Sequence, residues 1–175
     1  MVLDCVQTGM GRTGDWFGYE YSEITPDVIT LAKGLGGGLP LSAMIACGAS
    51  AYLFQPGDHG STFGGNPVTT AAALATIEFI EKNQLMVAVK RHEKQIMQEV
   101  ALIPGVSEVR GAGLLLAIEL TTPIAHDVLV ALRNNGVLVN APTATTIRIA
   151  PALTVTTAQI ATFIRTFRKV MADVN

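Results

Sequence analysis

Charged residues are scarce in this chain. Asp, Glu, Lys and Arg make up 15% of its 175 residues, against about 25% in an ordinary soluble domain. So low a charged fraction indicates that much of the surface is buried, as in part of a larger α/β protein or a subunit with an extensive interface. The formal net charge of -2 leaves no basic face for nucleic acid.

Cysteine and histidine are also sparse. The two cysteines, Cys5 and Cys47, lie far apart and outside any CxxC pattern, which predicts structural thiols in a reduced, cytoplasmic setting. The three histidines lack the spacing of metal ligands. No targeting segment is visible, and the uncharged stretch between Lys33 and Asp58 contains a glycine cluster and prolines, which exclude a membrane span.

Short apolar runs and amphipathic stretches predict an α/β fold. Strands are expected at 1–4, 28–32, 42–47, 106–110, 114–120, 137–139 and 147–150, and helices at 66–82, 84–102, 124–134 and 156–172. Asn66 and Pro67 are a typical N-cap and first helical residue, and Thr156 or Thr157 is expected to cap the last helix. The pattern changes near Pro104, so we predict that residues 1–103 belong to a mostly parallel-sheet domain and residues 104–175 form a small α+β domain.

Two residues at the ends of predicted buried strands are candidates for chemistry. Lys33 closes an apolar strand, where lost hydration favours a neutral amine that attacks an aldehyde. Asp4 ends another strand, at the sheet edge where α/β proteins bind ligands. In an extended chain Val6 points to the same side as Asp4, and Gln7 follows it. The alternatives are a strand-end lysine that reaches solvent and an aspartate that caps a turn.

Two further segments suit anions. Ser61 and Thr62 lie in a glycine-rich loop just before a helix N-terminus, a natural place for phosphate, although an ordinary capped helix start has the same pattern. Arg148 lies among apolar residues in a short strand, which suits bidentate binding of a carboxylate or a structural ion pair. By contrast, the G-x-G-x-x-G match at 9–14 lacks the following helix and acid of a dinucleotide site.

Taken together, four blocks resemble the class III aminotransferases, fold type I enzymes that use pyridoxal 5'-phosphate (PLP), and in particular their acetylornithine and ornithine types. The blocks are DCVQTGMGRTG at 4–14, PDVITLAKGLGGG at 26–38, GDHGSTFGGNP at 57–67 and IRIAP at 147–151. The resemblance implies the C-terminal part of the PLP-binding large domain, followed by the small C-terminal domain.

The resemblance also implies roles for the cofactor-binding residues. Lys33 forms the Schiff base with PLP and then acts as the general base at the substrate Cα. Asp4 binds the pyridine nitrogen, which makes the ring an electron sink. Val6 and Gln7 contact the ring.

The remaining implied roles concern phosphate, substrate and partner. Thr62, with Ser61 beside it, reaches the cofactor phosphate of a neighbouring subunit, which implies a homodimer. Arg148 binds the substrate α-carboxylate. The implied reaction passes an amino group from N-acetylornithine, or a related ω-amino acid, to 2-oxoglutarate in arginine biosynthesis.

Two departures from the family pattern leave alternatives open. Cys5 stands where the family usually has Glu, and the long N-terminal part with the main phosphate-binding loop is expected to be missing, as in a fragment. The alternatives are a non-catalytic remnant that serves as an interaction or dimerisation module, and another class III enzyme such as a 4-aminobutyrate aminotransferase or an aminomutase.

Overall fold

The first half of the chain carries a three-stranded sheet in the order β1-β2-β3, formed by Val2–Asp4, Val28–Leu31 and Ala43–Ala46. The computed structural model describes residues 1–174. β1 and β2 are parallel, with Asp4 opposite Thr30, whereas β3 is antiparallel to β2. The carboxyl ends of β1 and β2 therefore meet at one edge of the sheet.

The prediction that β1 is a buried strand is wrong for this chain. Val2 is 66% exposed and Asp4 is exposed too, because β1 is an edge strand with only β2 beside it. β2 is the central strand, and its Ile29 and Leu31 are buried. A buried face and a more open face therefore alternate along β2, and Thr30 lies on the open face with Asp4.

Helix α1, Pro67–Lys82, begins as its sequence predicts. The Asn66 side chain accepts hydrogen bonds from the backbone N–H groups of Val68 and Thr69, both at 3.1 Å, and Pro67 is the first helical residue. This is the predicted cap, and it satisfies two of the four amides that a helix start leaves without partners.

The rest of the chain contains a second sheet, entirely antiparallel, and three helices. The strands are β4, Val106–Ala112, β5, Leu115–Leu120, and β6, Thr146–Ile149, in that order. The helices are α2, Leu85–Val100, α3, Ala125–Asn134, and α4, Thr157–Val174. Apolar stripes on the helices and one face of the sheet form a shared core that includes Ile96, Ile118, Leu132 and Phe167.

Two predicted details of this region have different outcomes. Thr156 caps α4 as expected, in a reciprocal arrangement: Gln159 N–H donates to Thr156 Oγ1 at 3.2 Å, and Thr156 N–H donates to Gln159 Oε1 at 2.8 Å. The predicted strand at 137–139 does not form. The backbone instead pairs one residue later, in an isolated bridge between Asn140 and Arg148.

By compactness the chain divides into two units between Met86 and Val87. The predicted domain boundary lies after residue 103. The prediction therefore assigns helix α2 to the first domain, whereas compactness assigns most of it to the second unit. Its residues Val89, Ile96 and Val100 belong to the core of the second unit. None of the helices within residues 1–174 is long and apolar enough to cross a membrane.

Candidate active site

Lys33 lies just beyond β2, as the first residue of a short 3-10 turn, Lys33–Gly36. Its φ of 47° is in the left-handed region, which costs a residue with a side chain about 1–2 kcal/mol. Such strain persists only where the surrounding structure holds it, and it is common at functional sites. The side chain is exposed, so the described residues do not supply the loss of hydration that the sequence predicts.

Asp4 ends β1 at the same sheet edge, because β1 and β2 are parallel. Its Oδ1 accepts a hydrogen bond from Val6 N–H at 2.8 Å and lies 3.5 Å from Thr30 Oγ1. Asp4 therefore does cap the turn that follows β1, which was the alternative to a ligand-binding role. It engages one carboxylate oxygen, and a pyridine N–H needs only the other.

Val6 and Gln7 do not continue an extended strand, which corrects the geometry expected for them. The chain turns after Asp4, and Gly9 N–H closes the turn by donating to Cys5 C=O at 2.8 Å. Val6 is half-buried and Gln7 is exposed in this turn. Burial lowers the pKa of the Arg12 guanidinium a few residues on.

A cavity of about 700 Å³ opens beside Lys33. It is lined by the turn that follows β2 and by the loop before α1, and it includes Ala32, Lys33, Leu39, Ser61 and Phe63. Its volume lies within the range of about 300–1,000 Å³ typical of ligand sites. The structure thus brings Lys33 and Ser61 to one cavity, whereas Asp4, Val6, Gln7 and Thr62 do not line it.

Asp4 lies on the strand beside β2, and the residue that follows β2, Ala32, is part of the cavity wall. Ala32 lines the cavity and has extended backbone with φ of -161°. By strand alternation Ala32 shares a face with Thr30, the residue next to the Asp4 carboxylate. An amine and a hydroxyl on a cavity, with a carboxylate on the neighbouring strand, fit a cofactor that carries an aldehyde, a phosphate and a ring nitrogen.

Ser61 and Thr62 lie in an exposed loop that is organised by its own hydrogen bonds. Gly64 N–H donates to Ser61 Oγ at 3.1 Å. Because the Asn66 side chain already binds the amides of Val68 and Thr69, a phosphate here relies on hydroxyls and loop amides rather than on those two helix amides.

Arg148 lies in β6 of the second unit, and its side chain is exposed. Its backbone is fixed by a bridge, in which Arg148 N–H donates to Asn140 C=O at 2.7 Å. Arg148 borders a second cavity, of about 340 Å³, with apolar walls that include Val139, Ile149 and Phe163. A cation beside apolar walls suits a ligand that has a carboxylate and a carbon chain.

Cys5 is buried, with 3% of its surface exposed, and its thiol is free. Its backbone N–H donates to Thr30 C=O at 2.9 Å, which extends the β1–β2 pairing. A small apolar thiol therefore fills a core position where the family pattern has a carboxylate. Among the residues described, no cluster of His, Cys, Asp and Glu could hold a metal ion.

Two supporting features of the site are not among the residues predicted from the sequence. Thr30 lies beside Asp4. The feature of the sequence that could have indicated it is a hydroxyl residue at the position of β2 that pairs with Asp4 of β1. Leu39 and Phe63 line the Lys33 cavity although both are exposed. Their signal was a large apolar residue inside a glycine-rich loop, which is also typical of a surface that another segment covers.

The chain matches the family model "Aminotransferase class-III" over residues 1–171. The acetylornithine aminotransferase of Streptomyces coelicolor is 54% identical over 156 residues, which cover 87% of this chain and 39% of that protein. The acetylornithine aminotransferase of Corynebacterium efficiens is 43% identical over 174 residues, covering 99% and 43%. This chain therefore spans well under half the length of these curated relatives.

Solved structures give the same result for the fold. The acetylornithine aminotransferase from Elizabethkingia anophelis matches 98% of this chain and 47% of that chain, with a TM-score of 0.90 and 32% identity. The ornithine aminotransferase from Toxoplasma gondii matches 99% of this chain and 43% of that chain, with a TM-score of 0.90 and 30% identity. The α/β fold expected from the sequence is confirmed.

Proposed function

The chain belongs to the class III aminotransferases, and from that premise we propose that it is the lysine-bearing part of a PLP-dependent aminotransferase. The amino donor is N-acetylornithine or a related ω-amino acid, and 2-oxoglutarate accepts the amine. One observation carries the proposal: Lys33, strained at φ 47°, stands on a cavity shared with Ser61, at the sheet edge where Asp4 ends the neighbouring strand.

Each residue has a distinct task in this proposal. PLP, when bound, withdraws electrons from the substrate Cα. Lys33 Nζ would hold the cofactor covalently and, when free, would take a proton from the substrate Cα and return it. Asp4 keeps the ring nitrogen protonated by accepting its hydrogen bond. Val6 would pack on the ring face, and Gln7 would reach the ring hydroxyl.

The phosphate and the substrate carboxylate are held by other residues. Ser61 and Thr62 bind the phosphate through their hydroxyls, Thr62 that of a partner subunit in a homodimer. Arg148 binds the α-carboxylate through its two parallel N–H groups. The relatives named acetylornithine aminotransferase support this amino donor, and we place the reaction in arginine biosynthesis and in the cytoplasm. Full turnover requires the further cofactor contacts that the family's longer fold provides.

The test is covalent trapping. We expect borohydride reduction in the presence of PLP, followed by peptide mass spectrometry, to place the label on Lys33. Lys33→Ala removes the label, whereas Lys82→Ala, a change of an exposed lysine at the end of α1, keeps it. The assignment is refuted by a label on another lysine, or by the absence of any label when the chain is part of the full-length fold. An amino-donor panel with acetylornithine, ornithine and 4-aminobutyrate then identifies the substrate.

A second candidate is an interaction module without catalysis. It is favoured by the separation of Asp4, Val6, Gln7 and Thr62 from the Lys33 cavity, and by the buried Cys5 in place of a carboxylate. A stable oligomer whose absorbance and size do not respond to PLP supports this candidate and excludes the enzyme.

A further inference from the structure

Met10 packs directly against the backbone that follows Lys33. A Cβ built on Gly34 would lie 3.2 Å from Met10 Cβ and 3.7 Å from Met10 Cγ. The first distance is tighter than about nine in ten real Cβ contacts. Gly34 is therefore a point of close approach between the loop after β1 and the turn that begins with Lys33.

Met10 is itself rigidly held. It is 5% exposed and has a left-handed φ of 57°, and its N–H donates to Trp16 C=O at 2.8 Å. The preceding residue, Gly9, has no space for a side chain: a Cβ there would lie 2.7 Å from Cys5 O and 2.9 Å from Leu31 Cδ2. The loop thus returns from the end of β1 and is wedged against the end of β2.

The opposite side of the Lys33 turn is held as well. A Cβ built on Gly37 would lie 2.4 Å from Thr76 Oγ1 in α1. Leu35, between the two contact points, is 7% exposed and anchors the turn in the core of the first unit. The turn is therefore clamped between Met10 and Thr76, with Lys33 at its start.

We infer that Met10 is a positioning residue that fixes the distance between the Lys33 turn and the strand of Asp4. The inference rests on the proposed function. PLP is a rigid ring whose nitrogen and aldehyde carbon are a fixed distance apart, so Asp4 and Lys33 must match that distance. A misplacement of about 1 Å at such a site costs about 100-fold in rate. Met10 belongs to the loop that leaves Asp4 and touches the residue after Lys33, so it couples the two.

Paired substitutions in the holoenzyme test this role. Gly34→Ala places a methyl group 3.2 Å from Met10 Cβ. We expect PLP to bind about tenfold more weakly, which is the effect of an overpacked contact. The pH midpoint of the bound-PLP absorbance band shifts as well. Gly36→Ala is the matched control in the same turn, because its Cβ meets Leu41 Cβ at an ordinary 3.4 Å. We expect it to leave both quantities unchanged.

Substitutions of Met10 complete the test from the other side of the contact. Met10→Gly tolerates the left-handed φ but removes the contact, so we expect weaker PLP binding than in the unaltered protein. In the double variant, Met10→Gly gives space to the methyl group of Gly34→Ala, so we expect stronger PLP binding than with Gly34→Ala alone. Met10→Leu keeps the Cβ and Cγ atoms that touch Gly34 and retains binding. If Gly34→Ala does not fold, the comparison of Met10→Gly with Met10→Leu decides.

The outcomes separate this inference from the proposed function. A Lys33 label in the unaltered protein, with equal PLP binding and absorbance in the Gly34→Ala and Gly36→Ala proteins, overturns the positioning role alone. Changes confined to the melting temperature, with the absorbance band unmoved, also overturn it. No Lys33 label in the unaltered protein overturns both proposals.

Discussion

The two units of this chain differ in how many of their apolar residues are buried and how many are exposed. Within residues 1–174, the second unit buries eighteen hydrophobic residues and exposes three large ones, Val87, Leu102 and Leu138. The first unit buries seven and exposes fourteen. The second unit therefore closes a core by itself, whereas the first carries the candidate catalytic lysine on a surface typical of one that another segment or chain covers.

Separating the units gives the largest expected effect. We expect the segment that begins at Leu85, which keeps α2 whole, to unfold in urea with a single cooperative transition. Residues 1–84 alone are expected to lack such a transition and to bind the apolar dye ANS, because they bury too few side chains to offset chain entropy. Cooperative unfolding of both segments would remove the contrast between the units.

A large-to-small change compares the two units residue by residue. Phe167 is 0% exposed in the second core, so Phe167→Ala is expected to lower the free energy of unfolding by about 3–5 kcal/mol. Tyr52 is 81% exposed in the first unit, and Tyr52→Ala is expected to change the free energy of unfolding by less than about 0.5 kcal/mol. Urea titration followed by circular dichroism measures both, and similar losses would contradict the assignment of the core.

A smaller effect on stability is expected from His92, whose Nδ1 is the one buried side-chain polar atom without a hydrogen-bond partner among the residues described. His92 is 2% exposed, with Nε2 3.3 Å from Thr157 Oγ1 and Nδ1 unbonded. Burial, and then the charge of Arg91, lower the pKa of His92 below its ordinary value of 6.5. As the pH falls through this ordinary value, His92 takes up a proton in the unfolded chain before it does so in the folded unit. The second unit therefore loses stability as the pH falls.

The measurement is urea unfolding at about pH 7.5 and about pH 5.5. We expect His92→Gln to reduce the difference between the two values. His126→Gln, a change of an exposed histidine on α3, is expected to leave the difference as it is in the unaltered chain. An unchanged difference in the His92→Gln protein would show that another group causes the pH dependence.

The sequence predicted most helices and the position of the key residues, because these depend on local signals. The Asn66–Pro67 start of α1 and the Thr156 cap of α4 follow from short-range hydrogen bonds. The strand expected at 137–139 failed because an apolar run of that length does not specify a partner. The pairing formed instead at Asn140, where Arg148 was available.

The candidate site was predicted less completely than the fold. The motif order identified Lys33, Asp4 and Ser61, and the site roles remain predictions for experiment. The extended arrangement of Val6 failed because the Asp4 carboxylate captured its amide, a competition that strand alternation ignores.

The sequence by itself determined the family, the lysine and the helix boundaries, since each is encoded in short runs of consecutive residues that can be recognised without knowing the fold. Only the tertiary structure decided the left-handed backbone of Lys33, the contact of Met10 with Gly34 and the cavity that Lys33 shares with Ser61. These features join residues more than twenty positions apart or arise from the contacts between them. They form only when strand pairing and packing bring those segments together.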